Sequence, residues 1–316
     1  MKKWLSIVGL LSISMLVQAG EKVDKTIDAE KDGYVEIEHL AGSVNIKGWD
    51  KAQVRVVGEL DERMEKFIFE RDGNEVTIKV KIKKNRSWHN SGNEDGDKLD
   101  IYIPQQSQVH YTSVNADVKV ENVIGSAEIN VVNGDIKANK LAGRIHLESV
   151  NGNINADELA GDLKVETVNG DIKSRNDLGE HDSYQTVNGD IDIVSSSAEI
   201  KAETVNGDME LKLSKIKQLV LNTVNGDIEA RLDLDKQGEV RGSSVSGDIE
   251  LSFDKNVSAR FDIQGHSGGK IVNDLTNDEP QKAKHGPNRW LEFSHNGGNG
   301  RVDVSTVSGK VKIGQY

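Results

Sequence analysis

Six aspartates recur at Asp135, Asp171, Asp190, Asp208, Asp227 and Asp248, spaced by 18–21 residues except for the first step of 36, where Asn153 takes the intervening place. Each follows a glycine, and five of the six glycines follow an asparagine. A row of carboxylates at a fixed repeat could hold Ca²⁺ between successive units, because hard cations take several oxygen ligands. The bland account is that Asp suits the turn after Gly and stays solvated. The Gly-Gly-x-Gly-x-Asp nonapeptide of calcium-binding β-rolls is absent. Paired carboxylates could also cleave a polysaccharide. Against this, these carboxylates are the repeat itself, whereas a catalytic site is expected as a local break in one. The non-repeating acids and bases His146, Glu148, Arg175 and His181 form no familiar constellation, and no Ser/His/Asp, HExxH, P-loop or GxGxxG signature occurs. The expectation is a chain without catalytic residues or an obligate cofactor, Ca²⁺ on the Asp column being the one ion considered.

The elements that carry these residues form a repeat. Val-Asn-Gly-Asp-Ile or a close variant begins at Val132, Val150, Val168, Val187, Val205 and Val224, with weaker copies at Val114, Val245 and Val307. From Val114 to Val245 the steps are 18, 18, 18, 19, 18, 19 and 21 residues. In the unit Asn151–Val168, Asn151-Gly152 makes one corner, Ile154 and Ala156 alternate with polar neighbours, Leu159-Ala160-Gly161 makes a second corner, and Leu163, Val165 and Thr167 alternate again. A small hydroxyl residue precedes each Val, as at Ser149, Thr167, Thr186, Thr204, Thr223, Ser244 and Thr306, on the inward side of the alternation.

An antiparallel meander would need only turn residues and alternation to recur. Here the Asn, the Asp, the corner Gly and the hydroxyl column recur as well, as stacking of like on like requires. The fold class is therefore read as all-β, a parallel β-solenoid with coils of about 18–21 residues. Asn133, Asn151, Asn169, Asn188, Asn206 and Asn225 are expected to form an amide ladder.

Residues 20–110 are β-rich but off the rhythm and are read as an irregular N-terminal cap; residues 111–316 are the solenoid, with an excursion near 273–299. Leu60 to Glu70 reads as short helix or strand, Lys83 to Lys98 as a surface loop, and Gly300 to Ile313 as the coil that closes the stack. Met1-Lys2-Lys3, the apolar run Trp4–Val17 and Gln18-Ala19 read as a signal peptide over residues 1–19. That places the chain in the periplasm, at the cell surface or outside the cell, with no membrane span after the leader. There are no cysteines, so neither disulfides nor a lipidated cysteine can hold or anchor it. The formal charge of −12, or −14 without Lys2 and Lys3, argues against nucleic acid or an anionic lipid surface as partner.

The segments Gly42-Ser43-Val44-Asn45-Ile46, Gly48-Trp49-Asp50 and Ile101-Tyr102-Ile103-Pro104, the Val-Asn-Gly-Asp-Ile repeats and the final Val307-Ser308-Gly309-Lys310-Val311 together resemble the bacterial "putative adhesin" family of β-strand repeat proteins. The resemblance covers about Tyr34 to Ile313 and implies a β-solenoid at the cell envelope, with no catalytic residues to carry over. The expected function is non-enzymatic: a scaffold or adhesin that binds an envelope protein or polysaccharide through a repetitive polar face formed by Glu148, Glu166, Gln185, Glu203 and Asn222. The alternative is a β-helix that binds or cleaves polysaccharide. Loop aromatics and histidines (Trp88, His89, His266, His285, Trp290, His295) are further contact candidates, and exposed end rungs would allow self-association.

Overall fold

A computed structural model describes residues 20–82, 96–176 and 178–316. The expected leader, residues 83–95 of the expected loop, Trp88 and His89 lie outside these residues. Among the described residues there are strands and no helices, and so no helix long and apolar enough to cross a membrane.

Each coil lays one strand in a front sheet, turns at the Asn-Gly corner, lays a second strand in a back sheet, and turns again into the next coil. Within the repeats both sheets are parallel and pair residue for residue, apart from register shifts after Gly161 and between Leu213 and Gln218. Ile145 lies beside Leu163 and Leu147 beside Val165 in the front sheet, while Ile136, Ile154 and Ile172 run in line across the back sheet. The chain is thus a two-sheet β-solenoid. Its period-2 alternation leaves one face of each strand to fill the space between the sheets. Ile136, Ile154, Ile172, Ile191, Met209, Ile228, Ile249 and Val311 form one continuous buried column there.

The N-terminal end is closed by strands that leave the parallel pattern. Tyr34–Trp49 is a full two-sided rung that pairs directly with Gln108–Glu121. Beyond it in the front sheet lie Glu75–Ile82 and then Met64–Asp72, which is antiparallel strand over the segment read as short helix or strand. Beyond it in the back sheet lie Asp97–Pro104, Gln53–Leu60 and Glu21–Asp28. Antiparallel end strands break the parallel template that an open rung would offer to another chain.

At the C-terminal end the structure corrects the sequence reading. The last coil does not close the stack. Gly300–Thr306 inserts between residues 239–244 and Ala259–Gly265, and Lys310–Gln315 between Ile249–Phe253 and Lys270–Asn273. The reason lies in corner chemistry. Ser308 and Lys310 bond to the preceding corner, through Ser308 Oγ to the Val245 carbonyl (3.1 Å) and the Lys310 amide to Asp248 Oδ1 (2.8 Å). The corner at Gly265-His266-Ser267-Gly268-Gly269 stacks outside it, where Arg289–His295 covers its front strand antiparallel. The excursion expected near 273–299 is irregular over residues 274–288, apart from the short strand Gln281–Lys282, and then runs as the strand Arg289–His295.

Candidate functional site

The Asn-Gly corner is built from three parallel columns. Asn133 donates to Asn115 Oδ1 at 2.7 Å, Asn151 to Asn133 and Asn169 to Asn151 at 2.8 Å, and Asn188, Asn206 and Asn225 each to the asparagine before at 2.9 Å. All six predicted asparagines lie in this row, with Asn115 at its head. Replacing Asn169 by Leu removes two of these bonds. At about 1 kcal/mol each, the loss should be about 1–2 kcal/mol, read as a lower urea midpoint with unchanged slope; an unchanged midpoint would mean the amides are merely solvated.

The Asp column is engaged by backbone. Oδ1 of Asp135, Asp171, Asp190, Asp208, Asp227 and Asp248 accepts the amide N–H of the equivalent residue one coil on, at 2.8–3.0 Å. Asp248 also meets Lys310 Nζ at 2.8 Å, and that hydrogen bond holds its carboxyl below the usual range. Inside the corner, Ser149, Thr167, Thr186 and Thr204 donate to the carbonyls of Gly134, Gly152, Gly170 and Gly189. Of the valines between the columns, Val132, Val168, Val187 and Val205 are 39–41% exposed and make an apolar ridge.

The outer surface of the front sheet carries the non-repeating chemistry. Three residue columns cross it in register: Arg144, Asp162, His181, Glu199; then His146, Lys164, Ser183, Lys201; then Glu148, Glu166, Gln185, Glu203, Asn222. The five residues of the predicted polar face therefore lie in one line. Gln185 donates to Glu203 (2.9 Å), Asn222 to Glu203 (2.8 Å) and Ser243 to Asn222 (2.7 Å). The short side chain of Ser183, between Lys164 and Lys201, lies in a shallow depression of about 600 Å³ also lined by His146, Asp162, His181 and Glu199. A second depression of about 500 Å³ opens further along this face, among Arg260, Asp262, Glu292, Arg301 and Asp303.

The structure thus brings His146, Glu148 and His181 to one face, and leaves Arg175 on the back sheet. His146 Nε2 lies 3.0 Å from Glu166 Oε2 and 4.0 Å from Glu148 Oε2, and Lys164 Nζ is 2.7 Å from Glu166 Oε2. His181 Nδ1 is 3.2 Å from Asp162, and its Nε2 3.4 Å from Glu199. Partial burial works to raise the Glu166 carboxyl, yet Lys164 and His146 together hold it below its usual range. Lys201 and Asn222 do the same for Glu203 against the same burial. Among the described residues, the sets of three or more metal-ligating groups with donor atoms within 4.8 Å of one another are His146–Glu148–Glu166 and Asp162–Glu180–His181. His266, His285, Trp290 and His295 belong to the C-terminal corner, the excursion and its covering strand, with Trp290 paired to Gln264 and Gln281.

Two buried clusters escaped the sequence reading. Asp182 sits at an inward position between Leu163 and Ile200, and is 3% exposed. Its Oδ2 accepts from Tyr184 (3.1 Å), Ser195 (3.0 Å) and Ser197 (2.7 Å), while its Oδ1 has no partner. Burial raises its carboxyl above the usual range, and burial with the Asp182 charge raises the Tyr184 phenol. An acid in an apolar column of the alternation was the available signal. In the cap, buried His39 lies 3.0 Å from Asp97 Oδ2 and 3.2 Å from the Tyr111 hydroxyl, a contact between segments far apart in sequence that no local pattern shows.

Fold and corner chemistry define a parallel two-sheet β-solenoid that carries a polar face. The Toastrack DUF4097 family model matches residues 34–314, and the chain belongs to that family. No curated protein matches it. Among solved structures it is similar to a putative adhesin from Bacteroides fragilis, with 12% identity over 93% of this chain and 97% of that one and a TM-score of 0.42. It is also similar to a putative lipid binding protein from Parabacteroides distasonis (11%, 93% and 97%, TM-score 0.41) and to a putative cell adhesion protein from Clostridium sporogenes (9%, 94% and 100%, TM-score 0.22).

Proposed function

We propose that this chain is an exported, non-enzymatic binding protein of the cell envelope that holds its partner on the outer face of the front sheet. The observation that carries the reading is the face itself. Its polar columns run in register across many coils, so it offers a long array of hydrogen-bonding groups at a spacing of about 4.8 Å. A polymer with its own repeat can meet many of these groups at once and gain avidity from contacts that are individually weak.

The second reading, a polysaccharide binder or cleaver, is favoured by one observation: both depressions interrupt the face with acids and bases that do not repeat. One experiment separates the readings. The purified chain is incubated with immobilised envelope polysaccharides and with envelope protein fractions, and retained glycan is sized. Retention of one partner should fall at least tenfold in the double variant Lys164→Glu, Lys201→Glu, and persist in Lys173→Glu on the back sheet. Equal loss in both variants would overturn the assignment to this face, and shortening of a retained glycan would overturn the non-enzymatic reading.

A further inference from the structure

We infer that His146, Glu148 and Glu166 form a binding site for a divalent transition metal, with Zn²⁺ the best match. The three donors come from adjacent parallel strands, and in-register pairing places Glu148 beside Glu166 and His146 beside Lys164. Their ligating atoms converge within 4.8 Å, with His146 Nε2 3.0 Å from one carboxylate oxygen and 4.0 Å from the other. Donors about 2.0–2.2 Å from a tetrahedral zinc stand about 3.3–3.6 Å apart, a separation that the His146–Glu166 and His146–Glu148 distances bracket. One imidazole and two carboxylates are a borderline donor set that suits zinc better than calcium, which wants six or more oxygens.

On the next strand Glu128 lies beside His146, where it accepts from the Asn130 amide at 3.4 Å and stands 3.4 Å from His110 Nδ1. Lys164 is the competitor: its ammonium takes the Glu166 oxygen that zinc would take. The side chains of His146 and Glu166 are 28% and 26% exposed, half-buried and still open to an ion from solvent.

The test uses the untagged, chelator-stripped full chain titrated with zinc chloride in a calorimeter at pH 7.5. One saturable event is expected. His146→Ala and Glu166→Gln should each weaken it at least tenfold, and Lys164→Met should strengthen it by removing the competing charge. Excess calcium should not displace the metal. Circular dichroism of each variant confirms that the solenoid is intact. A flat titration, or His146→Ala binding like the parent, would overturn the proposal. Loss of the event in His181→Ala but not in His146→Ala would overturn it too, by moving the site to the exposed Asp162–Glu180–His181 set.

Discussion

Gly170→Ala should cost the fold about 3 kcal/mol or more, at the upper end of what overpacking a core does. A Cβ at Gly170 would stand 2.1 Å from the carbonyl oxygen of Gly152 and 2.6 Å from its carbonyl carbon. That neighbour is backbone, fixed on both sides by the ladder, so neither strand can give way alone. The same approach recurs down the column: a Cβ at Gly152, Gly189 or Gly207 would meet the preceding glycine's oxygen at 2.0 Å. These glycines are required because the corner backbones stack in close contact. Gly73 makes the contrast. Its φ is +60° and a Cβ there would meet nothing within 4 Å. Asn tolerates that conformation, so Gly73→Asn should cost about 1 kcal/mol at most. Chemical denaturation of the two variants beside the parent decides the matter. Equal midpoints for Gly170→Ala and Gly73→Asn would show that the corners do not stack as closely as described.

Asp182→Ala should have the second largest effect, about 3 kcal/mol or more. It strips the acceptor from three buried hydroxyls at once, and buried donors left unpaired lose both the bond and their solvation. Asp182→Asn keeps an oxygen in place and should cost less. It should also change the pH dependence, with a definite sign. Burial raises the native carboxyl above its usual value of 3.8. Between the unfolded and native values the unfolded chain has released the proton while the native one still holds it. Stability from this group is therefore complete below the unfolded value and falls as pH rises through the native one. The stability difference between parent and Asp182→Asn should shift against the parent over that window and level off above it. A difference that does not change with pH would mean that the buried carboxyl titrates as a solvated one does.

The repeat was legible in the sequence because a solenoid writes its geometry into every coil. A parallel in-register stack brings each residue against its own counterpart, so any side chain that bonds well to itself is favoured at every level. The Asn row, the hydroxyl column and the alternating Ile and Ala positions could each be placed by counting. The cap was only partly legible: Tyr34–Val80 shows strands, but antiparallel partners such as Gln53–Leu60 and Glu21–Asp28 carry no common motif, because they stack on nothing like themselves. The position of the last coil was not legible for a related reason. Val307-Ser308-Gly309-Lys310 resembles the earlier corners and was read as following them in space as it does in sequence.

The sequence by itself determined the coil, its two corners and the inward column of each strand, since these follow from period, turn chemistry and alternation. Tertiary structure alone decided which rung meets which at the C-terminal end, where Lys310 and Ser308 bond to Asp248 and Ser246 across 62 residues of chain, a contact that no local pattern shows. It also decided that His146, Glu166 and Glu148 converge. In the chain Glu166 is 20 residues from His146; on the face they are neighbours, because one turn of the coil returns the backbone to a position about 4.8 Å from where it began.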